Sequence, residues 1–325
     1  MLRPRSANNH RQFRPDLTGP THNARNQRGY ISMHITILLV ITYILYCLRT
    51  GVGPWRYWQI NAAYFSKREG VFSKRAIDRL IPDRWHLWQA VDNGAIQPEE
   101  WPVFLKPEWG QNSHGVERVD NADELDALRK RVGRDSRRYL MQEAANGARE
   151  FEIFVIDVDR DDEHRDVVTV TEAVNTSEHL PVNSKHNGNT CYRDITAQFD
   201  DASQQQLAAW VGEVGRFGIS RMSVRADSID ALVQGQFKVI EINLYLPMPI
   251  NLLDRQLDWR TRWRFIRHAM HTLALATRAA PRDPEPAPIF LSMLRYGNSH
   301  RSLAGNTQPT PENPVLDDEQ ITVRH

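Results

Sequence analysis

Two short apolar runs end in residues suited to phosphate and metal chemistry. Val103-Phe-Leu-Lys-Pro107 delivers a lysine, Lys106, near the end of a strand-like segment. Phe237-Lys-Val-Ile-Glu-Ile-Asn243 delivers a carboxylate and an amide oxygen two positions apart, Glu241 and Asn243. Side chains at i and i+2 of a strand share one face, so this pair can grip one cation. A hard ion such as Mg²⁺ takes oxygen ligands and binds through one or two carboxylates together with substrate phosphates. Charge inside an apolar run is costly unless paired or metal-bound, which singles out Glu241. Lys106 also reads as a solvated strand end when taken alone. Together the runs predict a nucleotide site assembled from separated strands, not from one glycine-rich loop. No G-x-S-x-G motif is present, so a serine nucleophile elbow is not indicated.

The elements that must position these residues are mixed. The spacing predicts helices over 59–92, broken at Pro82 and resuming over 85–91, then a strand at 103–105. Asn121 reads as an N-cap with Glu124 in the capping-box position. Strands are expected at 115–119, 139–143 and 151–156, the last returning as 167–170 in a hairpin. A helix over 203–217, strands over 219–225 and 237–243, and a closing helix over 260–277 complete the body. Asn183–Thr190 carries Asn-Gly turn chemistry; it reads either as a surface turn or as a loop reaching the substrate with Lys185 and Thr190. Mixed strands and helices with hairpins predict α+β, not a doubly wound parallel sheet.

The chain has 325 residues, 41% hydrophobic and 25% charged, which is enough apolar material for a large core. The net charge of +1 gives no global basis for nucleic-acid binding, and no nucleic-acid partner is expected. Two cysteines, Cys47 and Cys191, do not make a disulfide framework and fit a reducing compartment. Residues 1–30 read as disordered. Residues 35–48 form an uncharged apolar run bounded by Arg49, shorter than the ~20 residues that span a bilayer comfortably, and residues 31–33 extend it to an apolar helix expected over 31–50. It reads as a membrane anchor, a signal peptide or a buried core helix. Met33 is also a candidate start of the chain.

Four blocks in order resemble the ATP-grasp superfamily, in particular the D-alanine–D-alanine ligase branch of carboxylate–amine ligases. They are residues 103–107, 140–152, 219–225 and 239–243. The resemblance implies two α+β subdomains gripping a nucleotide, over an ATP-grasp domain at 101–280. A helical N-terminal subdomain at 55–100 precedes it, and a tail at 281–325, largely loop or disordered, follows. It implies ATP and Mg²⁺ as cofactors. Lys106 would contact the ATP phosphates, with Lys74 as a second lysine. Gln142, Glu143 and Ala145 would hold the adenine, and Glu150 the ribose hydroxyls. Arg221 would stabilise the transferring phosphate, and Glu241 and Asn243 would bind the metal. Residues 108–115 stand where the family has a lid. Glu150 and Glu152 also read as water-facing side chains.

The sequence departs from the family at Ser223, where an aspartate normally supplies a further metal ligand. Asp227 is the candidate replacement from a shifted register. The N-terminal substrate region is short, which disfavours D-alanine as substrate. The resemblance implies a ligase joining a carboxylate to an amine or thiol through an acyl phosphate; ATP use predicts the cytoplasm, and the apolar run at 31–50 adds anchoring at the cytoplasmic face of the inner membrane as a reading. Three readings stand beside it: a regulatory or scaffold protein that binds nucleotide without ligating, a phosphotransferase with a hydroxyl acceptor, and a plain α+β binding module with no nucleotide affinity.

Overall fold

The computed structural model describes residues 22–108, 115–132, 139–158, 167–177, 179–184, 187–282 and 288–295. In chain order, a long helix α1 (His22–Thr50) leads through two 3₁₀ turns into a single-turn helix α2 (Lys74–Asp78). Then come β1 (Gln89–Val91), β2 (Val103–Pro107), β3 (Glu117–Val119), α3 (Ala122–Val132) and β4 (Tyr139–Glu143). The second half holds β5 (Arg149–Ile156), β6 (Val167–Val174), β7 (Cys191–Asp194), α4 (Asp201–Val214), β8 (Ile219–Ala226), α5 (Ile229–Val233), β9 (Lys238–Asn243) and α6 (Trp259–Ala279). A last helix, α7, covers 288–295.

The strands make two antiparallel sheets, ordered β1-β4-β2-β3 and β7-β6-β5-β8-β9. In the smaller sheet, alternation sends Val103, Leu105 and Met141 against Leu125 and Leu128 of α3. Asn121 caps α3, with Glu124 N donating to Asn121 Oδ1 at 3.0 Å, while Glu124 Oε2 accepts from Asp120 N, one residue before the cap, at 2.9 Å. In the larger sheet, Phe151, Ile153 and Val155 of β5 face a core shared with Leu207 and Val211 of α4. Both sheets are α+β in character, as the sequence predicts.

Along the other face of the larger sheet the chemistry changes. Glu150 and Glu152 on β5 give way to Phe154 and Ile156, and Arg225, Ser223 and Arg221 on β8 give way to Ile219. The apolar end packs under α1 and α6 in a second core that holds Ile35, Leu39, Ile266 and Leu273. Tyr43 OH and Thr277 Oγ1 share a 2.9 Å hydrogen bond across the two helices. Asn61 ties the sheet to this layer: its Nδ2 donates to Ile219 O at 2.7 Å and its Oδ1 accepts from Gly218 N at 3.1 Å.

Four expectations change. Of the helices expected over 59–92, α-helix forms only over Lys74–Asp78, with Ala62–Tyr64 a 3₁₀ turn. The segment 85–91 is not a helix: Trp85 stacks on Phe237 at 4.7 Å and donates to Gly235 O at 2.8 Å, and 89–91 pair with β4 as an edge strand. The apolar helix begins at His22, inside the segment expected to be disordered. In the tail, 288–295 is helical because Ile289 and Met293 bury against Ala62 and Val71. α1 is also not simply a core helix. Ile35, Leu39, Tyr43 and Cys47 are buried on an i, i+4 stripe, while Ile37, Ile41, Leu45 and Leu48 are exposed on the other side.

Candidate active site

Both sheets turn a face to one cavity of about 780 Å³. From the smaller sheet, β2 and β4 pair antiparallel with Phe104 opposite Gln142 and Lys106 opposite Leu140. This places Lys106 diagonally across from Gln142, and Lys106 Nζ donates to Gln142 Oε1 at 3.1 Å. Gln142 Nε2 in turn donates to Ile240 O at 3.3 Å on the larger sheet. The two sheets are thus joined at the lysine. Burial, together with the charge of Lys74, pulls the Lys106 ammonium down to about 8, against a smaller upward pull from Glu241 and Asp78.

From the larger sheet, β5, β8 and β9 present three rows. Ser223 stands opposite both Glu152 and Glu241. Arg221 stands opposite Asn243, and Arg225 opposite Glu150. A β-bulge makes the β9 row work. Val224 pairs with Val239, yet the next residue, Ser223, pairs with Glu241, so Ile240 is extra. Val239 before the bulge and Ile242 and Leu244 after it all point to the core, while Glu241 and Asn243 reach the cavity.

The charges are interlocked. Lys74 Nζ, from α2, lies 3.3 Å from Glu241 Oε1. Burial raises the Glu241 carboxyl, but Lys74, Lys106 and Arg221 outweigh it and hold the group below its usual range. Arg221 Nε lies 3.0 Å from Glu152 Oε2, and Ser223 Oγ donates to the same oxygen at 2.8 Å. Burial still leaves Glu152 raised, with Arg221 pulling down and Glu241 adding to the rise. Glu150, 3.8 Å from Arg225 Nη1, is pushed up to about 7 by burial and then by Glu152.

The structure therefore gathers Lys74, Lys106, Gln142, Glu143, Ala145, Glu150, Arg221, Glu241 and Asn243 on the wall of one cavity. Glu143 also accepts from Trp88 N at 2.8 Å, which holds β1 to β4. Asp227 is not brought to this wall. It lies past the end of β8 and accepts from Ala148 N at 3.2 Å, so a shifted register does not carry it beside Glu241. The carboxylate that does neighbour Ser223 is Glu152, whose only sequence signal is its i+2 spacing from Glu150. Thr190 stays within its own loop, donating to Asn183 Oδ1 at 3.0 Å. Asn183 and Ser184 of that loop line the cavity. Lys185 and most of the expected lid, 109–114, lie outside the described residues.

The oxygen donors suit a hard divalent ion: Glu241 and Asn243 share one strand face, and Glu152 faces them across Ser223. Lysines at two angles and a buried acid suit the phosphates and ribose of a nucleotide. Two antiparallel α+β sheets closing on such a site define an ATP-grasp protein. The sequence profile of the family described as D-ala D-ala ligase C-terminus matches residues 78–249, just over half of the chain, and the chain belongs to that family.

Similar solved structures include the L-amino acid ligase from Bacillus licheniformis, 16% identical with TM-score 0.37, over 54% of this chain and 40% of that one. VanG D-Ala:D-Ser ligase from Enterococcus faecalis is 15% identical with TM-score 0.40, over 60% of each chain. D-alanine–D-alanine ligase from Bacillus anthracis is 12% identical with TM-score 0.39, over 70% of this chain and 68% of that one. The chain thus spans less than two thirds of the first two. No curated protein matches it.

Proposed function

We propose that the chain is an ATP- and Mg²⁺-dependent ligase that joins a carboxylate to an amine, or to a thiol, through an acyl phosphate. The observation that carries this reading is the convergence of Lys74, Lys106 and Arg221 with Glu152, Glu241 and Asn243 in one cavity. A carboxylate oxygen of the substrate attacks the γ-phosphorus of ATP. The bond from that phosphorus to the β–γ bridging oxygen breaks, and ADP leaves. The amine nitrogen then attacks the acyl carbon, the carbon–oxygen bond to phosphate breaks, and the amine proton passes to solvent. Phosphoryl transfer of this kind needs positioning and charge neutralisation more than a protein nucleophile.

Lys106 and Lys74 hold the phosphates, and Arg221 faces the transferring group. Gln142, Glu143 and Ala145 flank the adenine, and Glu150 accepts from the ribose hydroxyls. Glu241, Asn243 and Glu152 are the residues that would hold Mg²⁺, which supplies charge neutralisation at the phosphates. The test is calorimetric ATP titration with and without Mg²⁺. Lys106→Ala and Glu241→Ala are expected to weaken binding at least tenfold. A folded wild type that binds no ATP overturns the reading.

Ser223 in place of the family's aspartate favours a second reading, nucleotide binding without ligation. Glu152 beside Ser223 weighs against it, because the carboxylate count is restored. ATP turnover driven by an acid and an amine separates the two.

ATP use favours a cytoplasmic reaction. The exposed apolar stripe of α1 lies beside the outer edge of α6, where Arg260, Arg264 and Arg267 are exposed with Trp259. Tyr46 and His271 pack with tilted rings, centroids 5.0 Å apart, where the two helices meet. A basic, Trp-bearing edge next to an apolar stripe suits the surface of an anionic bilayer. A spanning α1 would have to leave α6, because arginines in hydrocarbon are costly. We therefore read α1 as lying on the cytoplasmic face of the membrane. Co-sedimentation with phosphatidylglycerol vesicles is expected, and its loss in Ile41→Asp checks it.

A further inference from the structure

We propose that the carboxylate substrate carries a long apolar tail, housed in the half of the cavity walled by α1, α6 and α7. This inference deepens the ligase reading and rests on it. Its ground is the polarity step in the cavity floor. Between Glu152 and Phe154 on β5, and between Arg221 and Ile219 on β8, one two-residue step of about 7 Å takes the surface from charged to apolar.

Arg221 sits at that boundary, with its Nη1 donating to Met248 O at 3.3 Å. A carboxylate brought to the phosphates beside Arg221 has its remaining atoms on the far side of the step. There the walls are Leu39 and Tyr43 of α1, Met270 and Leu273 of α6, and Phe290 and Met293 of α7. The ionisable groups on this side include the phenols of Tyr43, Tyr57 and Tyr245, and burial raises each above its usual range, so they stay neutral. A small polar acid would leave this region without a partner, whereas an alkyl chain fills it. Methionines suit an irregular flexible chain.

The apolar half also reaches the surface at a defined place. Val40 and Ile44 line the cavity and are exposed, at 50% and 38%. They stand next to Ile37, Ile41 and Leu45 on the outward stripe of α1. A tail entering here passes from one apolar surface to another without crossing the charged end.

The test uses the full chain and straight-chain acids of four, six, eight, ten and twelve carbons, titrated by calorimetry in the presence of Mg²⁺ and ADP. Each buried methylene is worth about 0.8 kcal/mol, so affinity is expected to rise roughly tenfold per two carbons once the chain passes the polarity step. Val40→Asp and Phe290→Asp alter half-exposed positions and spare the core. They are expected to lower dodecanoate affinity at least tenfold, with unchanged thermal unfolding. The acid is offered both free in solution and in phosphatidylglycerol vesicles. Chain-length dependence in either arm supports the tail site, and the arm with higher occupancy names the source. Acid affinity independent of chain length, with ATP still bound, overturns the tail site and leaves the ligase standing. Chain-length-dependent binding without ATP binding supports the tail site and removes the ligase.

Discussion

Ser223 Oγ presents a hydroxyl to Glu152 Oε2 at 2.8 Å, so the position where related ligases hold an aspartate instead supports a carboxylate one strand away. Glu152 and Glu241 flank Ser223 in one row across β5, β8 and β9, and on the proposed metal-binding reading Glu152 stands in for the carboxylate expected at 223. Glu152→Gln is therefore expected to weaken Mg²⁺-dependent ATP binding at least tenfold, with little change in its absence. Ser223→Ala removes one hydrogen bond to a charged group, worth about 1.5–3 kcal/mol, and is expected to fall between wild type and Glu152→Gln. Magnesium titrations of both variants check this order.

Lys106 gives a proton-linked signal. Its ammonium is drawn down to about 8 by burial and by Lys74, so it is partly neutral at mildly alkaline pH. Phosphates placed against it favour the charged form. ATP binding is therefore expected to take up about half a proton at pH 8, rising to roughly nine-tenths at pH 9, seen as a dependence of the calorimetric heat on buffer ionisation enthalpy. Lys106→Met is expected to abolish that uptake.

Glu150 sets a slope in stability. Its carboxyl is raised from 4.5 to about 7 by burial, then by Glu152. Between these values the folded state holds the proton and the unfolded chain has lost it. The folded state thus binds more protons, and stability falls as pH rises. The contribution is full below pH 4.5 and is lost by about pH 7, on the order of 1–3 kcal/mol. Denaturant unfolding from pH 4.5 to 7.5 is expected to show a shallower fall for Glu150→Gln. Glu152, raised as well, keeps part of the slope.

Gly147 turns the chain just before Glu150. Its φ is +123°, and an added Cβ would stand 2.8 Å from Ala226 N. Its carbonyl accepts from Arg225 Nε at 3.1 Å. Gly147→Ala must move backbone as well as side chain, and is expected to cost roughly 2–3 kcal/mol. It is also expected to weaken ATP binding through Glu150 and Arg225. Paired unfolding and nucleotide titrations check both effects.

Much of the site is legible in the sequence because it is built from local patterns. Lys106 at the end of an apolar run and Glu241-Ile-Asn243 each carry their own signal, and the Asn121 N-cap needs only Glu124, three residues on. What stays hidden depends on distant partners. Glu152 reads as water-facing until Ser223, 71 residues on, is seen beside it. The strand at 89–91 depends on β4, and its apolar residues alone suit a helix equally well. The run at 35–48 is apolar all round, so periodicity does not reveal which stripe meets α6.

The extra residue Ile240 has a consequence for how this sheet tolerates insertions and deletions. In an uninterrupted strand, Glu241 would share the parity of Val239 and point into the core, and Ile242 would face the cavity. Removing one residue at 240 would thus keep every nearby side chain while reversing which of them meet solvent and which meet the core. The cavity-facing end of β9 and its core-facing start are out of phase by one position. The same position lends its carbonyl to Gln142, so the frame shift that exposes the carboxylate also joins the two sheets over the lysine.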